Sequence, residues 1–262
     1  MLTTGGGKTE DGAERALDSL AGGDFVLLYD SDSRERETDL VAASQHVTHD
    51  SVRRMRRDGG GLICTTVPSR AWQRLGIPFL ADLFSEARQR HPLLGELVPD
   101  DIPYDAKSAF AITINHRKTF TGVTDRDRAL TISHFAGMVR EALEYRGPDE
   151  EVRRTFGKLF RAPGHVQLLN AAEGLLSTRN GHTEMATALV SFAGLVPTAT
   201  ICEMMGDDGR ALPKAQASRY AREAGLVFLE GSQVRAFWES RTGTGPVPGR
   251  KRGSAGVVQN GK

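Results

Sequence analysis

Short apolar runs recur along this chain and alternate with segments of helical periodicity. The runs at 25–29, 40–44 and 62–66 have the length of buried strands, and residues 109–115 alternate in the manner of a half-buried strand. Further strands are predicted at 165–169, 175–176, 198–203 and 226–229.

Helical patterns occupy most of the intervals between these runs. Residues 14–21 predict a short helix that ends at Gly22 and Gly23, and a long helix is predicted to begin at Thr124 or Asp125. Other predicted helices are 50–58, 182–195 and one around 213–225. Because strands and helices interleave, the pattern favours one mixed, layered domain of both element types.

Three stretches lack a clear pattern. Residues 1–12 are polar and Gly-rich and are predicted to be disordered, and the Gly- and Pro-rich basic segment 240–262 is predicted to be a flexible tail. The folded domain is therefore expected at 13–239. Residues 82–104 are punctuated by prolines and predict a long loop or insertion.

Composition excludes several classes of function. The net charge of the 262 residues is +1, which gives no general electrostatic attraction to nucleic acid or to a membrane. The longest apolar runs fall far short of the ~20 residues that span a bilayer, and the N-terminus lacks the apolar core of a secretory signal. The two distant cysteines, Cys64 and Cys202, form no CxxC pair and favour a reduced, cytoplasmic location.

Basic residues concentrate in the predicted helix 50–58 and in the GRKRG element of the tail. Such segments suggest contact with RNA or acidic lipid. No aromatic residues interleave with the arginines of the helix, however, so a solvated helix face is the favoured interpretation. We therefore expect no nucleic-acid partner and no membrane partner.

The segment DSDSRERETD, residues 30–39, packs five carboxylates into ten positions after the first predicted strand. Carboxylates this close repel one another unless a cation, an arginine or open water compensates them. One interpretation is a solvated acidic loop, and the other is a site for a hard metal ion and a substrate. The loop by itself favours the first interpretation. The carboxylates are those of Asp30, Asp32, Glu35, Glu37 and Asp39.

Two downstream segments carry histidines at turns. In RAPGHVQLL, His165 follows a Pro-Gly turn at which backbone can approach a ligand, and Arg161 is a potential partner for phosphate or carboxylate. In RNGHTEMA, Glu184 falls in the first turn of a predicted helix. That glutamate either complements the helix dipole or acts as a general acid or base.

Two further segments allow a structural or a functional interpretation. Cys64 in GGGLICTT is either a small buried apolar residue or a nucleophile or acid/base group. In TGVTDRDRALTI, the turn at Thr121 can hold an anion on backbone N–H groups, whereas Asp127 and Arg128 can equally form a structural ion pair.

Together and in this order, the segments resemble the 3,4-dihydroxy-2-butanone-4-phosphate synthase family, and most closely its archaeal form. The resemblance extends from about residue 14 to about residue 230. It implies an α+β fold, with a single three-layer α/β/α domain around a mixed twisted sheet. The matching segments are YDSDSRERETDLVAAS, DGGGLICTT, TFTGVTDRDRALTI, FRAPGHVQLL, RNGHTEMA and ICEMMGDDG.

The resemblance implies that the protein converts D-ribulose 5-phosphate into L-3,4-dihydroxybutan-2-one 4-phosphate and formate in riboflavin biosynthesis. It also implies Mg2+ or Mn2+, with two ions per site, and no organic cofactor. Enolisation of the sugar requires a base and a stabilised enediolate, and both fit this set of residue types. Family members are homodimers whose sites lie at or near the subunit interface.

The same resemblance assigns roles to individual residues. Glu35 and His165 are the implied metal ligands, and Glu184, Cys64 and Glu37 are the implied catalytic residues. The implied substrate-binding residues are Arg34, Glu35, Asp39, Thr121, Asp127, Arg128, Arg161, Ala162, Pro163, Gly164, His165, Val166 and Glu184.

This chain departs from the family pattern in three respects. Arg36 stands where many members have Gly or Asn, and Ala162 intervenes between Arg161 and the Pro-Gly-His turn. Many bacterial members also carry a GTP cyclohydrolase II domain after the synthase, whereas the short tail here predicts a monofunctional protein.

Two alternative functions stay open at the level of sequence. A metal-dependent sugar-phosphate isomerase or epimerase would use the same carboxylates and histidine, but it would release no formate. An RNA- or nucleotide-binding module is less favoured, and it predicts binding that weakens steeply with salt.

Overall fold

The fold is built on one mixed sheet of seven strands. The structure is a computed structural model, and it describes residues 6–98, 101–105 and 107–244. The strands are β1 (Val26–Tyr29), β2 (Thr38–Ala43), β3 (Cys64–Val67), β4 (Phe110–His116), β5 (Phe160–Asn170), β6 (Ala199–Glu203) and β7 (Val227–Glu230). Their order across the sheet is β4-β5-β3-β6-β2-β1-β7, with β3–β5 and β1–β7 parallel and the remaining pairs antiparallel.

Helices cover both faces of the sheet. They are α1 (Gly6–Ala21), α2 (His49–Arg54), α3 (Ser69–Leu75), α4 (Leu80–Ala87), α5 (Leu93–Glu96), α6 (Asp125–Glu144), α7 (Asp149–Leu159), α8 (His182–Phe192), α9 (Lys214–Glu223) and α10 (Gly231–Thr242). One core lies under α2, α3, α6, α7 and α9, and the other lies under α1, α8 and α10. The expected α+β fold with three layers is therefore confirmed. None of the helices in the described residues is long and apolar enough to cross a membrane.

The strands β1, β2 and β3 are buried along their whole length. In β1, Leu27 packs into the first core, whereas Val26 and Leu28 pack into the second. In β2, Leu40 packs into the first core and Val41 packs into the second. A strand buried on both faces reads as a continuous apolar run, which is why these strands could be found in the sequence.

Several boundaries differ from the predicted ones. The first helix begins at Gly6, so residues 6–12 are helical where disorder was expected. They continue a helix whose residues Ala13, Ala16, Leu17 and Leu20 pack into the second core. Residues 1–5 lie outside the described part of the chain. At the other end, α10 continues to Thr242 because Phe237 and Trp238 are buried, and residues 245–262 lie outside the described part.

Other differences concern the connections. The predicted strand at 175–176 is a short 3-10 turn, Leu175–Ser177, which follows a left-handed Gly174 and buries Leu176. The predicted insertion 82–104 contains most of α4 and all of α5. Two helices, α3 and α7, were not predicted at all.

Candidate active site

The acidic loop between β1 and β2 folds around Asp30, which is buried at the end of β1. Its Oδ2 accepts the backbone N–H of Glu35 at 2.8 Å, and its Oδ1 accepts that of Glu37 at 3.1 Å. The Asp30 carboxylate is thus compensated by the loop itself. This arrangement leaves the side chain of Glu35 to project from the loop.

Arg36 adopts a left-handed backbone conformation in this loop, with φ of 61°. Its exposed side chain donates from Nε to the carbonyl oxygen of Asp32 at 2.7 Å. Gly and Asn, which many members of the resembling family have here, adopt this conformation most readily. Arg36 therefore adopts a backbone conformation that is unfavourable for its residue type.

His182, the first residue of α8, lies against the loop. Its Nδ1 is 3.2 Å from Oε2 of Glu35, and its Nε2 is 3.2 Å from the carbonyl oxygen of Glu37 and 3.7 Å from Oδ1 of Asp39. Burial lowers the pKa of His182, but the carboxylates of Asp39 and Glu35 outweigh that effect and raise the pKa to about 9. Burial likewise raises the pKa of Glu35, but His182 and Arg34 lower it further, below its ordinary value.

Two carboxylates face each other at the adjoining ends of β2 and β6. Asp39 and Glu203 are partners in the register of these strands. Asp39 is buried, which raises its pKa to about 8, and its Oδ1 has no hydrogen-bond partner among the described residues. Glu203 is half-buried, and its Oε2 accepts the backbone N–H of Leu62 at 2.8 Å.

Glu203 was missed in the sequence analysis, although the segment ICEMMGDDG was recognised as part of the resemblance. The sequence feature that could have drawn attention to Glu203 is its place at the last position of a predicted strand. Its place beside the acidic loop depends on the antiparallel pairing of β6 with β2, which the local sequence does not show.

Two arginines adjoin these carboxylates. Arg179 donates from Nη2 to Oδ2 of Asp105 at 2.7 Å, and Arg34 donates to the same oxygen. Nη1 of Arg34 also lies 3.2 Å from Oε1 of Glu35, although this ion pair lacks hydrogen-bond geometry. The arginines therefore form a positively charged wall next to the group of acidic residues.

The side chain of Glu184 holds one of these arginines in place and does not face the group of acidic residues. The side chain is fully buried, its Oε2 accepts from Nη1 of Arg179 at 2.6 Å, and its Oε1 accepts the backbone N–H of Ala172 at 2.9 Å. Each oxygen accepts one hydrogen bond in this arrangement, and the role of Glu184 as a proton shuttle stays a prediction.

A cavity of about 170 Å³ lies between the loop, the strand ends and the start of α8. Its charged and titratable lining includes Glu35, Asp39, Arg179, His182 and Glu203. The cavity therefore combines carboxylates, an imidazole and a guanidinium in a volume suited to a small polar ligand.

His165 lies elsewhere, on an exposed part of β5. Its Nδ1 is 3.1 Å from Nδ2 of Asn115, and its backbone N–H donates to Oδ1 of the same residue at 2.8 Å. Two strands separate β5 from β2, so roughly 14 Å of sheet separates His165 from the strand that follows the acidic loop. The histidine beside Glu35 is thus His182, and the pairing of Glu35 with His165 predicted from sequence is not formed within this chain.

The remaining predicted residues near β4 and β5 form a second polar cluster. Asp127 accepts the backbone N–H of Gly122 at 2.9 Å, and Arg161 donates to the carbonyl oxygen of Thr119 at 3.2 Å. Arg128 pairs with Asp125 within α6. The predicted substrate residues found in this region and not in the cavity are Thr121, Asp127, Arg128, Arg161, Ala162, Pro163, Gly164, His165 and Val166.

Two of the predicted catalytic residues lie next to residues that line the cavity, since Cys64 pairs with Ile201 in the sheet and Glu37 contacts His182. Cys64 is buried in β3, and burial together with the charges of Glu203 and Asp39 raises the pKa of its thiol well above the ordinary value. A protonated thiol is a poor nucleophile. Glu37 is half-buried and its carbonyl oxygen faces His182, while burial and the charge of Glu35 raise the pKa of its carboxyl group.

The donor set fits a hard divalent cation. Asp30, Glu35 and His182 each offer one ligand atom, and these atoms lie within 4.8 Å of one another. Each oxygen of Asp30 accepts a backbone N–H group, so Glu35 and the neutral form of His182 are the ligands that the geometry favours. One carboxylate and one imidazole, with other positions open to water or sugar oxygens, suit Mg2+ or Mn2+.

Comparison with known proteins gives a consistent result. The sequence pattern of the family described as 3,4-dihydroxy-2-butanone 4-phosphate synthase matches residues 14–237. The synthase of Methanothermobacter thermautotrophicus is 48% identical over 231 residues, which are 87% of this chain and 97% of that protein. The synthase of Methanosarcina mazei is 47% identical over 229 residues, or 86% and 90% of the two chains.

A solved structure of such a synthase in complex with two magnesium ions has a similar fold. It superimposes with a TM-score of 0.63 at 26% identity, over 88% of this chain and 97% of the other.

Proposed function

The chain belongs to the 3,4-dihydroxy-2-butanone 4-phosphate synthase family, and we propose that its reaction takes place in the cavity between the acidic loop and the start of α8. Enzymes of the family convert D-ribulose 5-phosphate in riboflavin biosynthesis, with L-3,4-dihydroxybutan-2-one 4-phosphate and formate as products. The observation that carries the proposal is the contact of His182 with Glu35, which gathers ligand atoms, acid/base groups and arginines around one cavity.

Glu35 and His182 would hold the divalent cation in this proposal. A bound cation supplies a Lewis acid that polarises the oxygens of the sugar and stabilises an enediolate. A related synthase is in complex with two magnesium ions, which supports our expectation of two ions per site. The use of Mn2+ is a further expectation from the resemblance.

The arginines would bind the phosphate group of the substrate. Arg179 lines the cavity and Arg34 lines a neighbouring cavity of about 500 Å³, and each retains a buried N–H group without a hydrogen-bond partner among the described residues. Guanidinium groups bind phosphate through charge-assisted hydrogen bonds, and a buried pair of them binds it more strongly than an exposed pair. Glu184 fixes the position of Arg179 in this arrangement.

Glu203 is the base that the geometry favours for removing the proton next to the carbonyl group. It lines the cavity, is half-buried, and is held in place by the N–H of Leu62. Asp39 lies opposite it in the sheet and would hold a proton within the same site. These two positions provide a proton acceptor and a proton donor on adjoining strands.

We also infer a homodimer in the cytoplasm, as the resemblance implies. The cavity and the second polar cluster lie apart within one chain, and exposed apolar residues occur on the surface close to both. Phe120 is 94% exposed, and Leu62, Phe110 and Val123 are also exposed. An interface over these residues would bury apolar surface and place the cavity near a second chain.

The test is to incubate the purified protein with D-ribulose 5-phosphate and Mg2+ and to measure formate and the four-carbon phosphate. Release of both products, abolished by EDTA and restored by added Mg2+, is the expected result. A five-carbon product without formate would instead support an isomerase or epimerase.

A further inference from the structure

Asp105 occupies the position of an anion between the two arginines. Its Oδ2 accepts from Nη2 of Arg179 at 2.7 Å and also from Nη2 of Arg34. The side chain of Arg34 is only 9% exposed, and Tyr104 packs its ring against the guanidinium, 5.2 Å from Cζ to the ring centroid. One carboxylate oxygen thus joins two buried cations, and Glu35 and Glu184 each pair with one of them as well.

The carboxylates around this pair of arginines leave two of the guanidinium nitrogens without a hydrogen bond. Nη1 of Arg34 and Nε of Arg179 are buried without a hydrogen-bond partner among the residues that the structure describes. A phosphate group has three terminal oxygens and carries up to two negative charges, so it can accept from more of these N–H groups than one carboxylate oxygen can. The arginine pair is therefore built for an anion larger than the one it holds.

We propose that Asp105 is an internal substitute for phosphate, which holds Arg34 and Arg179 in place until the phosphate group of a ligand displaces it. This inference rests on the proposed function for the identity of the ligand. A phosphate dianion cannot bind both arginines while the carboxylate of Asp105 remains between them, because like charges at hydrogen-bond distance repel strongly. Only an anion that binds the two arginines more strongly than the carboxylate of Asp105 does can therefore replace it.

The surroundings of Asp105 permit this displacement. Residues 101–105 belong to no helix or strand, so the side chain can leave without breaking an element. Asp105 lines both the cavity of about 170 Å³ and a neighbouring cavity of about 500 Å³ that also contains Arg34. Its departure would therefore open the arginines to a ligand that extends between the two cavities.

The test uses inorganic phosphate as the probe and calorimetric titration as the measurement. Asp105→Asn removes the competing charge, so phosphate should bind roughly tenfold more tightly than to the wild type. Asp82→Asn is the matched control, because Asp82 anchors the same region through Lys107 but touches neither arginine, and its phosphate affinity should stay at the wild-type value. Equal or weaker binding to Asp105→Asn would overturn the proposal, since it would mean that Asp105 only orients the arginines.

A second measurement needs no variant of Asp105. In the wild-type protein, inorganic phosphate should accelerate chymotrypsin cleavage after Tyr104, which is exposed, because displacement releases this segment. Unchanged or slower cleavage at saturating phosphate would count against displacement. Neither measurement depends on turnover. A failure to release formate would therefore contradict the proposed reaction but not the displacement of Asp105 by phosphate.

Discussion

Nδ1 of His182 lies 3.2 Å from Oε2 of Glu35, and this contact joins residues that are 147 positions apart in the chain. The loop places Glu35 by folding around Asp30, and α8 places His182 by packing its first turn over the ends of the central strands. The candidate metal ligands are therefore placed by two separate elements, a loop held by hydrogen bonds to Asp30 and a helix held by core contacts.

Glu203→Gln should abolish most of the turnover. Glutamine has nearly the same shape and can still accept the N–H of Leu62, but it cannot take up a proton. We expect kcat for formate release to fall roughly 10²- to 10⁴-fold with little change in KM or in the melting temperature. The exposed Glu223→Gln is the control, and a kcat near that of the wild type in Glu203→Gln would exclude Glu203 as the base.

Glu184→Gln should weaken substrate binding and lower the stability of the protein more than it slows the chemical step. The change removes one of the two carboxylates that pair with Arg179, and the loss of a partner from a buried ion pair costs up to about 3–5 kcal/mol. Denaturant unfolding should report this loss of free energy, and steady-state kinetics should show a raised KM. A large fall in kcat with normal KM and normal stability would instead support Glu184 as a catalytic residue.

Arg36→Asn should stabilise the protein slightly. A left-handed conformation costs a residue such as arginine about 1–2 kcal/mol, and asparagine tolerates it better. The free energy of unfolding should rise by up to about 1 kcal/mol without a loss of activity. Destabilisation by a similar amount would show that the contact between Arg36 and the carbonyl of Asp32 outweighs the backbone strain.

Gly164→Ala should destabilise the edge of the sheet. A Cβ at this position would overlap the backbone of Ile114 and Asn115 in the neighbouring strand, so the two strands would have to separate. We expect a loss of about 2–4 kcal/mol in the free energy of unfolding. Gly157→Ala in α7 is the control, because a Cβ there meets none of the described residues within 4 Å and should stabilise the helix by about 0.5–1 kcal/mol.

The sequence was informative where local chemistry determines the structure. Strands buried on both faces gave recognisable apolar runs, and the motifs that carry the resemblance led to the correct family and fold class. The helix α6 was found because Thr124 caps it by accepting the N–H of Asp127 at 3.1 Å. These features depend on residues close together in the chain.

The choice between the two histidines could not be made from local sequence. His165 and His182 both follow a glycine at a turn, and either would be a plausible ligand. Which one reaches Glu35 depends on the strand order, since β3 and β6 separate β5 from β2. The contacts of Glu184 with Arg179 and Ala172 are equally non-local, so its position in the first helical turn did not reveal its partners.

Binding of Mn2+ to the wild-type protein, His182→Asn and His165→Asn, followed by electron paramagnetic resonance of the free ion, tests the central claim most directly. Loss of a metal ligand should weaken the affinity of His182→Asn by at least roughly tenfold, whereas His165→Asn should bind as the wild type does. Circular dichroism of the three proteins controls for folding. Normal Mn2+ binding by His182→Asn together with weakened binding by His165→Asn would contradict the account.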